Sequence, residues 1–272
     1  MGGPVKANQL RGIIRIKHYL VKLQNNLVCQ LLVKRFQVSL QGENLVRLGS
    51  SYGGWWVPEL SDEKFPTGSF LVSAGLGGDV SFDKQMLSRG YICVGLDPLL
   101  EAINYSKSEL AEFSNFFALN CGLSDVSGEK IFYAPQISEH DSWSVNNMHK
   151  TDFLLSQTFS VVTIGDLERM FPELENAPYR ILKMDIEGGE IPVLKQILHS
   201  KIKFDYLAIE VDYLSLIAFL SIKTRIRHFL TVWKLMVELE EQGYSLCKTE
   251  NFNFCWILGG KAPSDGKANV KH

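Results

Sequence analysis

Three groups of residues in this sequence have the types and spacing to do chemistry. The first is Gly75-Leu76-Gly77-Gly78-Asp79, which follows the mostly apolar run Phe70-Leu71-Val72-Ser73-Ala74. Glycines after a strand let a ligand come close to the main chain. The second is Asp97, which ends the run Tyr91-Ile92-Cys93-Val94-Gly95-Leu96 and precedes Pro98, twenty residues beyond Gly77. That spacing is one βαβ half-unit, and a carboxylate at the tip of its second strand can accept from two ribose hydroxyls. The third is Asp185-Ile186-Glu187-Gly188-Gly189-Glu190, three acids in six residues behind Arg180-Ile181-Leu182-Lys183-Met184. If the strand stays extended, Asp185 and Glu187 project to one side. Close carboxylates push one of their pKa values toward neutrality, which suits a general base. Such a pair could instead orient an acceptor hydroxyl or steady a positive charge.

The details of the glycine turn discriminate between ligands. A dinucleotide-binding turn places a third glycine three residues after its second, so that a helix can press close below a diphosphate. Here Val80 holds that place and Asp79 stands where an anion would lie. S-adenosylmethionine carries an ammonium and a sulfonium instead, and an acidic turn suits it. This counts against a nicotinamide dehydrogenase. The expected donor contacts are Gly75, Gly77, Asp79 and Ser81 around the turn, with Asp97 and Pro98 at the ribose. Asn120, Cys121, Gly122 and Leu123 follow a third strand, a position that predicts contact with the adenine, and Asp185 borders the reactive end.

Other residues are candidates for the acceptor side. Gly53-Gly54-Trp55-Trp56 reads as an ordered loop closing over a site, with Tyr52 beside it. Trp143 sits in a polar, irregular stretch that also holds His140, which can be neutral at physiological pH and serve as base. Glu210 and Asp212 follow a fifth strand and are placed to face the same pocket.

These residues need a frame that gathers strand ends. From Phe70 the sequence alternates strand and helix: strands at Phe70–Ser73, Tyr91–Leu96, Phe116–Leu119, Arg180–Met184 and Tyr206–Val211, with helices between. Lys130–Ala134 is hairpin-like, and Pro135–Phe159 is irregular with a short helix near its end. Residues 42–68 are turn-rich. Thr224–Gln242 is a long amphipathic helix stopped by Gly243, followed by strands Tyr244–Lys248 and Phe254–Leu258. Five residues between the last two strands cannot make a parallel crossover, so the final strand must run antiparallel. The expected fold is α/β: a doubly wound, mostly parallel, seven-stranded sheet with an antiparallel last strand, the layout of class I methyltransferases.

The composition, 46% apolar and 21% charged over 272 residues, is that of a globular protein able to bury a core without metals or disulfides. Net charge is −2, which gives no general field for nucleic acid. The charge is unevenly placed. Residues 1–42 hold seven Lys or Arg and no acid, while residues 43–272 hold 21 basic and 30 acidic residues. Residues 1–42 are therefore expected to form a basic amphipathic helical extension: a cap on the domain, a peripheral contact with an anionic inner membrane surface, or a binding surface for a partner. Residues 43–260 form the catalytic domain, and 261–272 a flexible tail. Five cysteines without a CxxC pair predict reduced thiols, a cytoplasmic setting and no metal site of that kind. The acids permit Mg2+ without requiring it. A homo-oligomer is compatible with all of this.

The blocks Val72-Ser73-Ala74-Gly75-Leu76-Gly77, Gly95-Leu96-Asp97-Pro98, Asn120-Cys121-Gly122-Leu123-Ser124-Asp125 and Leu182-Lys183-Met184-Asp185-Ile186-Glu187-Gly188 resemble the FkbM-type methyltransferase family over about residues 45–260. The resemblance implies an S-adenosylmethionine-dependent enzyme acting on oxygen, commonly on sugar hydroxyls of glycolipids and antibiotics or on polyketides. It implies Ser73, Ala74, Gly75 and Gly77 along the donor, Asp97 at its ribose, Asn120 to Leu123 at its base, and Asp185 and Glu187 at the transfer site. Gly78-Asp79-Val80-Ser81-Phe82-Asp83 departs from the family's usual Gly-Ala-Asn-x-Gly continuation. Rival readings are transfer to nitrogen or to a protein side chain, and a non-catalytic nucleotide-binding or membrane-associated interaction module.

Overall fold

The computed structural model describes residues 28–38, 44–59, 67–135, 143–147, 155–215 and 222–259. Residues 28–36 form helix α1. Strands β1 (Leu45–Leu48) and β2 (Trp55–Pro58) make a hairpin. Then come β3 (Phe70–Ala74), α2 (Ser81–Leu87), β4 (Ile92–Leu96), α3 (Leu100–Glu109) and β5 (Phe116–Leu119). The chain next adds β6 (Gly122–Leu123), β7 (Gly128–Tyr133) and β8 (Ser156–Val162), followed by α4 (Ile164–Met170) and α5 (Glu173–Asn176). It finishes with β9 (Arg180–Met184), α6 (Glu190–His199), β10 (Tyr206–Glu210), α7 (Asp212–Ser215), α8 (Ile222–Glu241), β11 (Tyr244–Glu250) and β12 (Asn253–Leu258).

Seven strands form the main sheet in the order β11-β12-β10-β9-β3-β4-β5. The pairs β10–β9, β9–β3, β3–β4 and β4–β5 are parallel, and β12 runs antiparallel between β10 and β11. The expected doubly wound sheet with a reversed last strand is thus present. Its first strand, β3, lies at the middle, where the strand order reverses toward β9 on one side and β4 on the other. Crevices at such switch points, outside the carboxyl ends of the strands, are where ligands bind.

Period-two alternation builds a core on each face. Phe70, Val72, Ala74, Val94, Leu96, Leu182, Met184, Leu207 and Ile209 share one cluster with α6, α8 and α1. Leu71, Cys93, Ile181, Tyr206 and Ala208 share the other with α2, α3 and the β1–β2 hairpin. Both faces are buried, which is why these strands read as nearly continuous apolar runs.

Two expectations are corrected. The turn-rich stretch 42–68 contains the β1–β2 hairpin, because Leu48, Trp55 and Val57 are buried against Phe82 and Met86 of α2. The irregular stretch before the fourth parallel strand contains β8, paired antiparallel with β7. Strand β8 buries one residue, with three half-buried and three exposed, and is held by its ladder, so no apolar period marks it. The basic extension is in part a cap: Leu32 and Phe36 of α1 are buried, and Phe36 packs edge-on against Trp233 of α8 with ring centroids 4.9 Å apart. Residues 1–27 and 39–42 of that extension, and the expected tail 261–272, lie outside the described residues. Among the described residues no helix is long and apolar enough to cross a membrane.

One contact sets how the strand ends meet. Gly75 has φ +78°, and a Cβ built on it would lie 1.8 Å from the Asp185 carbonyl oxygen. Gly78 has open space around it. A left-handed conformation costs an ordinary residue about 1–2 kcal/mol before any clash is counted. Gly75→Ala is therefore expected to lower the melting temperature by about 5 °C or more, and Gly78→Ala to change it by about 2 °C at most, measured by thermal denaturation. Equal effects would remove the close approach as the reason for Gly75.

Candidate active site

The glycine turn is shaped by Asp97. Its Oδ2 accepts from the main-chain N–H groups of Leu76 at 3.0 Å and Gly77 at 3.1 Å, and its Oδ1 accepts from Leu99 at 2.8 Å. Burial pushes its pKa up, against these three bonds and the charge of Lys183. Asn120 supports the same corner: its Nδ2 donates to the carbonyls of Asp97 at 3.2 Å and Pro98 at 2.9 Å. On the sheet face below, Lys183 of β9 donates to the Gly75 carbonyl and is nearly buried. Its charge also bears on Asp83 of α2, whose pKa burial raises and Lys183 lowers. Asp79 is engaged by the hairpin loop. It accepts from the Ser50 hydroxyl at 2.5 Å and from Ser81 N at 2.8 Å. Desolvation raises its pKa, but these bonds outweigh that and hold it below the usual range.

The acidic turn does not stay extended. Strand β9 ends at Met184, and Glu187 adopts φ +52°, a left-handed conformation rare outside glycine. The chain therefore curls, and oxygens of Asp185, Glu187 and Asp212 come within 4.8 Å of one another. The expectation that the first two acids share a side is met by a turn and not by strand alternation. Ser144 donates to the Glu187 carbonyl at 2.5 Å and Asn146 Nδ2 to the Gly188 carbonyl at 2.6 Å, so residues 143–147 latch the turn. Glu190 opens α6 fully buried. Its Oε1 accepts from Gly188 N at 2.6 Å, and its Oε2 has no hydrogen-bond partner among the described residues.

Five carboxylates thus crowd one corner. Desolvation, then the charges of Asp185 and Glu187, raise Glu210 to about 8. Glu210 also shares a side-chain hydrogen bond with Asp185, which requires a proton on one of the two. Burial is likewise the main reason that Glu190 sits at about 8 and that Asp212 lies well above the usual carboxylate range.

A cavity of about 320 Å3 spans both turns. Gly75, Gly77, Asp79, Asp97, Pro98, Gly122, Leu123, Asp185, Glu187 and Glu210 line it, with Tyr52, Trp55 and Trp143 as aromatic wall. Six of the lining residues are acids and two are basic, and of the two Lys130 is paired with Asp125 at 2.6 Å while Lys183 holds Gly75. The structure puts other candidates elsewhere. Ser73, Ala74 and Cys121 are buried beneath the turn, and Ser81 accepts from Ser50 N. Trp56 turns away from the cavity: its Nε1 donates to Glu250 at 2.8 Å and Lys248 lies over its ring. His140 lies outside the described residues. Sequence spacing gives no role to Lys183 or Asp83, while Glu190 reads as an acid at a helix start, which is where it lies. A lysine inside an otherwise apolar strand was the available signal for the first.

A model of the methyltransferase FkbM domain matches residues 78–246, more than half of the chain. The chain belongs to the FkbM methyltransferase family. Solved structures with similar folds include a Streptococcus mutans protein assigned as a methyltransferase, in complex with SAH, at 13% identity and TM-score 0.36, covering 72% of this chain and 90% of that one. A Methanococcus jannaschii fibrillarin pre-rRNA processing protein is 10% identical, with TM-score 0.34 and coverage of 82% and 86%. A TehB-like SAM-dependent methyltransferase from Corynebacterium glutamicum is 14% identical, with TM-score 0.30 and coverage of 72% and 83%. Likenesses this distant say nothing about donor or acceptor. No curated protein matches the chain.

In this FkbM-family chain the crowded acids have a measurable pH signature. Glu210 has a folded pKa near 8, above the ordinary value of 4.5, so the folded state holds the proton more tightly than the unfolded chain. Its contribution favours the fold below about pH 4.5 and is lost as pH rises toward 8. Glu210→Gln should therefore raise the melting temperature at pH 8 and leave it nearly unchanged at pH 4.5. A variant less stable at pH 8 would contradict the crowding. Glu187→Gly removes a strained conformation worth about 1 kcal/mol. It should melt at or above the wild-type temperature while losing methyl transfer, which separates strain kept for function from strain kept for folding.

Proposed function

We propose that the chain methylates a hydroxyl oxygen using S-adenosylmethionine, with a sugar hydroxyl of a glycolipid or other glycosylated metabolite as acceptor. The observation that carries this reading is the excess of acids over free bases around one cavity, in a chain of the FkbM methyltransferase family. The cradle fits the donor. The Gly75–Gly77 main chain is open to the cavity, and the carboxylates favour a ligand with two positive centres over a diphosphate. Asp97 keeps the turn in place and lies where ribose hydroxyls would reach it. Gly122 and Leu123 border the place expected for the adenine.

When bound, S-adenosylmethionine supplies a methyl group on a positively charged sulfur; the acceptor oxygen gains the carbon, and the sulfur keeps the electron pair of the broken bond. The remaining work falls to this chain's residues. A sugar hydroxyl is a weak nucleophile, so its alignment and the fate of its proton dominate. Glu210, with a pKa near 8, takes that proton in its ionised form, which gains population as pH rises toward 8. Asp185 and Glu187 hold the hydroxyl and complement the positive charge. Tyr52, Trp55 and Trp143 give flat apolar surface for a sugar ring and exclude water.

A second reading is favoured by the spacing of Asp185, Glu187 and Asp212, whose oxygens are close enough to share a divalent cation such as Mg2+. Chelation separates the two. Under direct carboxylate chemistry, EDTA leaves both donor binding and transfer unchanged; loss of transfer that Mg2+ restores assigns the trio to a cation.

The deciding experiment is titration calorimetry with S-adenosylmethionine and its demethylated product, followed by mass spectrometry of glycolipid acceptors. Binding of both ligands and acceptor mass gain of one methyl are expected. Glu210→Gln should keep donor affinity within about threefold and lower kcat by about 10²-fold or more. Absence of binding for both ligands would end the proposal.

A further inference from the structure

We propose that the outer face of the first half of α8, together with the adjoining face of α1, rests on an anionic lipid surface. Lys223, Ile226, Arg227, Leu230 and Lys234 are all exposed and follow one another at helical spacing along a single stripe. Ile226 is 55% exposed and Leu230 is 49% exposed, although the opposite face of α8 packs Val232, Leu235, Met236 and Leu239 into the core. From Tyr213 to Val237 the sequence contains no Asp or Glu; acids return only at Glu238, Glu240 and Glu241. In a chain whose residues 43–272 carry nine more acids than bases, a 25-residue stretch with four bases and none of the acids is a local reversal of sign.

Helix α1 extends the same surface. Phe36 packs on Trp233, and Arg35 lies 3.3 Å from Glu240, which fixes α1 beside α8. Leu31 is 57% exposed, and Lys34 is exposed one turn further on. The chain before α1 is acid-free to its first residue. The two acid-free segments, 1–42 and 213–237, are far apart in sequence, and folding joins them through α1 and α8. The sequence alone implicated only the first.

The chemistry selects the occupant. Apolar side chains separated by a turn and interleaved with Lys and Arg match a plane of acyl chains under phosphates, where the apolar group inserts and the cation stays at the headgroups. An acidic protein would satisfy the cations and leave Leu31, Ile226 and Leu230 without a partner. The stripe from Lys223 to Lys234 lies along a convex helix about 16 Å long, a shape that meets a plane.

Co-sedimentation of the full chain with vesicles of phosphatidylcholine, and of phosphatidylcholine mixed with phosphatidylglycerol, tests this. The wild type is expected to pellet with the mixed vesicles at least tenfold more tightly than with neutral ones. Each basic residue near an anionic surface is worth about fivefold, so Lys223→Glu combined with Arg227→Glu should weaken binding by about tenfold or more. Ile226→Asp combined with Leu230→Asp should weaken it at high salt as well, where charge is screened. All of these positions are exposed, so melting temperature and donor affinity measured without vesicles should stay at wild-type values. That calorimetry also keeps this test independent of the methyl-transfer reading. No preference for anionic vesicles overturns the proposal, and so does either double variant pelleting like the wild type. Capture by polyglutamate without vesicle binding would also overturn it, assigning the face to an acidic protein.

Discussion

The contact between Gly75 and the carbonyl of Asp185 is the constraint on which the site depends. Parallel pairing of β3 with β9 brings the two strand ends level, with Ala74 opposite Met184, and the Asp185 N–H donates back to the Ala74 carbonyl at 3.0 Å. The next residue on each strand must then turn away within the width of a main chain. A side chain at Gly75 would occupy the place of the Asp185 oxygen. Because it is absent, the glycine turn and the acidic turn share one wall of the cavity. Lys183, one residue before Met184, reaches across to hold the Gly75 carbonyl from below. The turn that faces the ligand is thus fixed by the strand that supplies the acids.

Bringing carboxylates together in a buried corner opposes folding, and the protein offsets this locally. Glu190 satisfies one oxygen at the amino end of α6, where the helix dipole also favours negative charge. Glu210 and Asp185 share a hydrogen bond, which lets one proton serve two acids. Glu187 is held in a left-handed conformation by bonds to its own and the following carbonyl from Ser144 and Asn146. Glycine would be the relaxed residue at that position, and two glycines follow it immediately. A strained carboxylate beside residues that could relieve the strain points to a requirement for the carboxylate itself. A bound cationic ligand would draw protons off this corner and lower its repulsion. Donor binding and the stability of the corner are therefore linked through the same charges.

Much of the frame was legible in the sequence because doubly buried parallel strands leave an unambiguous apolar signature. The seven strands, their alternation with helices and the reversed last strand all follow from runs such as Leu182-Lys183-Met184 and from the short link between the final strands. What was not legible depended on pairing and not on burial. Strand β8 buries only one of its residues and exists because β7 lies beside it. Trp56 has the same chemistry as Trp55, but strand alternation turns it to Glu250 and Lys248 while Trp55 faces the cavity. Asp97 was legible as a carboxylate at the tip of its strand but not as the clamp of the glycine turn, since that role needs the main-chain N–H groups of Leu76 and Gly77 to converge on it. Lys183 and Asp83 were hidden for a related reason: their relation crosses from a strand to a helix, and no local spacing encodes it.

The topology joins the site to the basic outer face through very little chain. Strand β10 ends with Glu210, Asp212 begins α7, and α7 packs against α8. The acid corner and the lysine-rich stripe are therefore successive parts of one segment with opposite charge. An acceptor made of a sugar on a lipid has the matching division: a hydroxyl-rich head that suits carboxylates and aromatic walls, and a body that belongs in a bilayer. A protein that takes such a head from the membrane surface gains by keeping its cavity within reach of that surface, because the head need not carry its acyl chains into water. On the proposed lipid contact, segregating acid from base along residues 210–234 would serve this end. It also leaves Lys223, Arg227 and Lys234 outside the lining of the cavity that holds Asp185, Glu187 and Glu210.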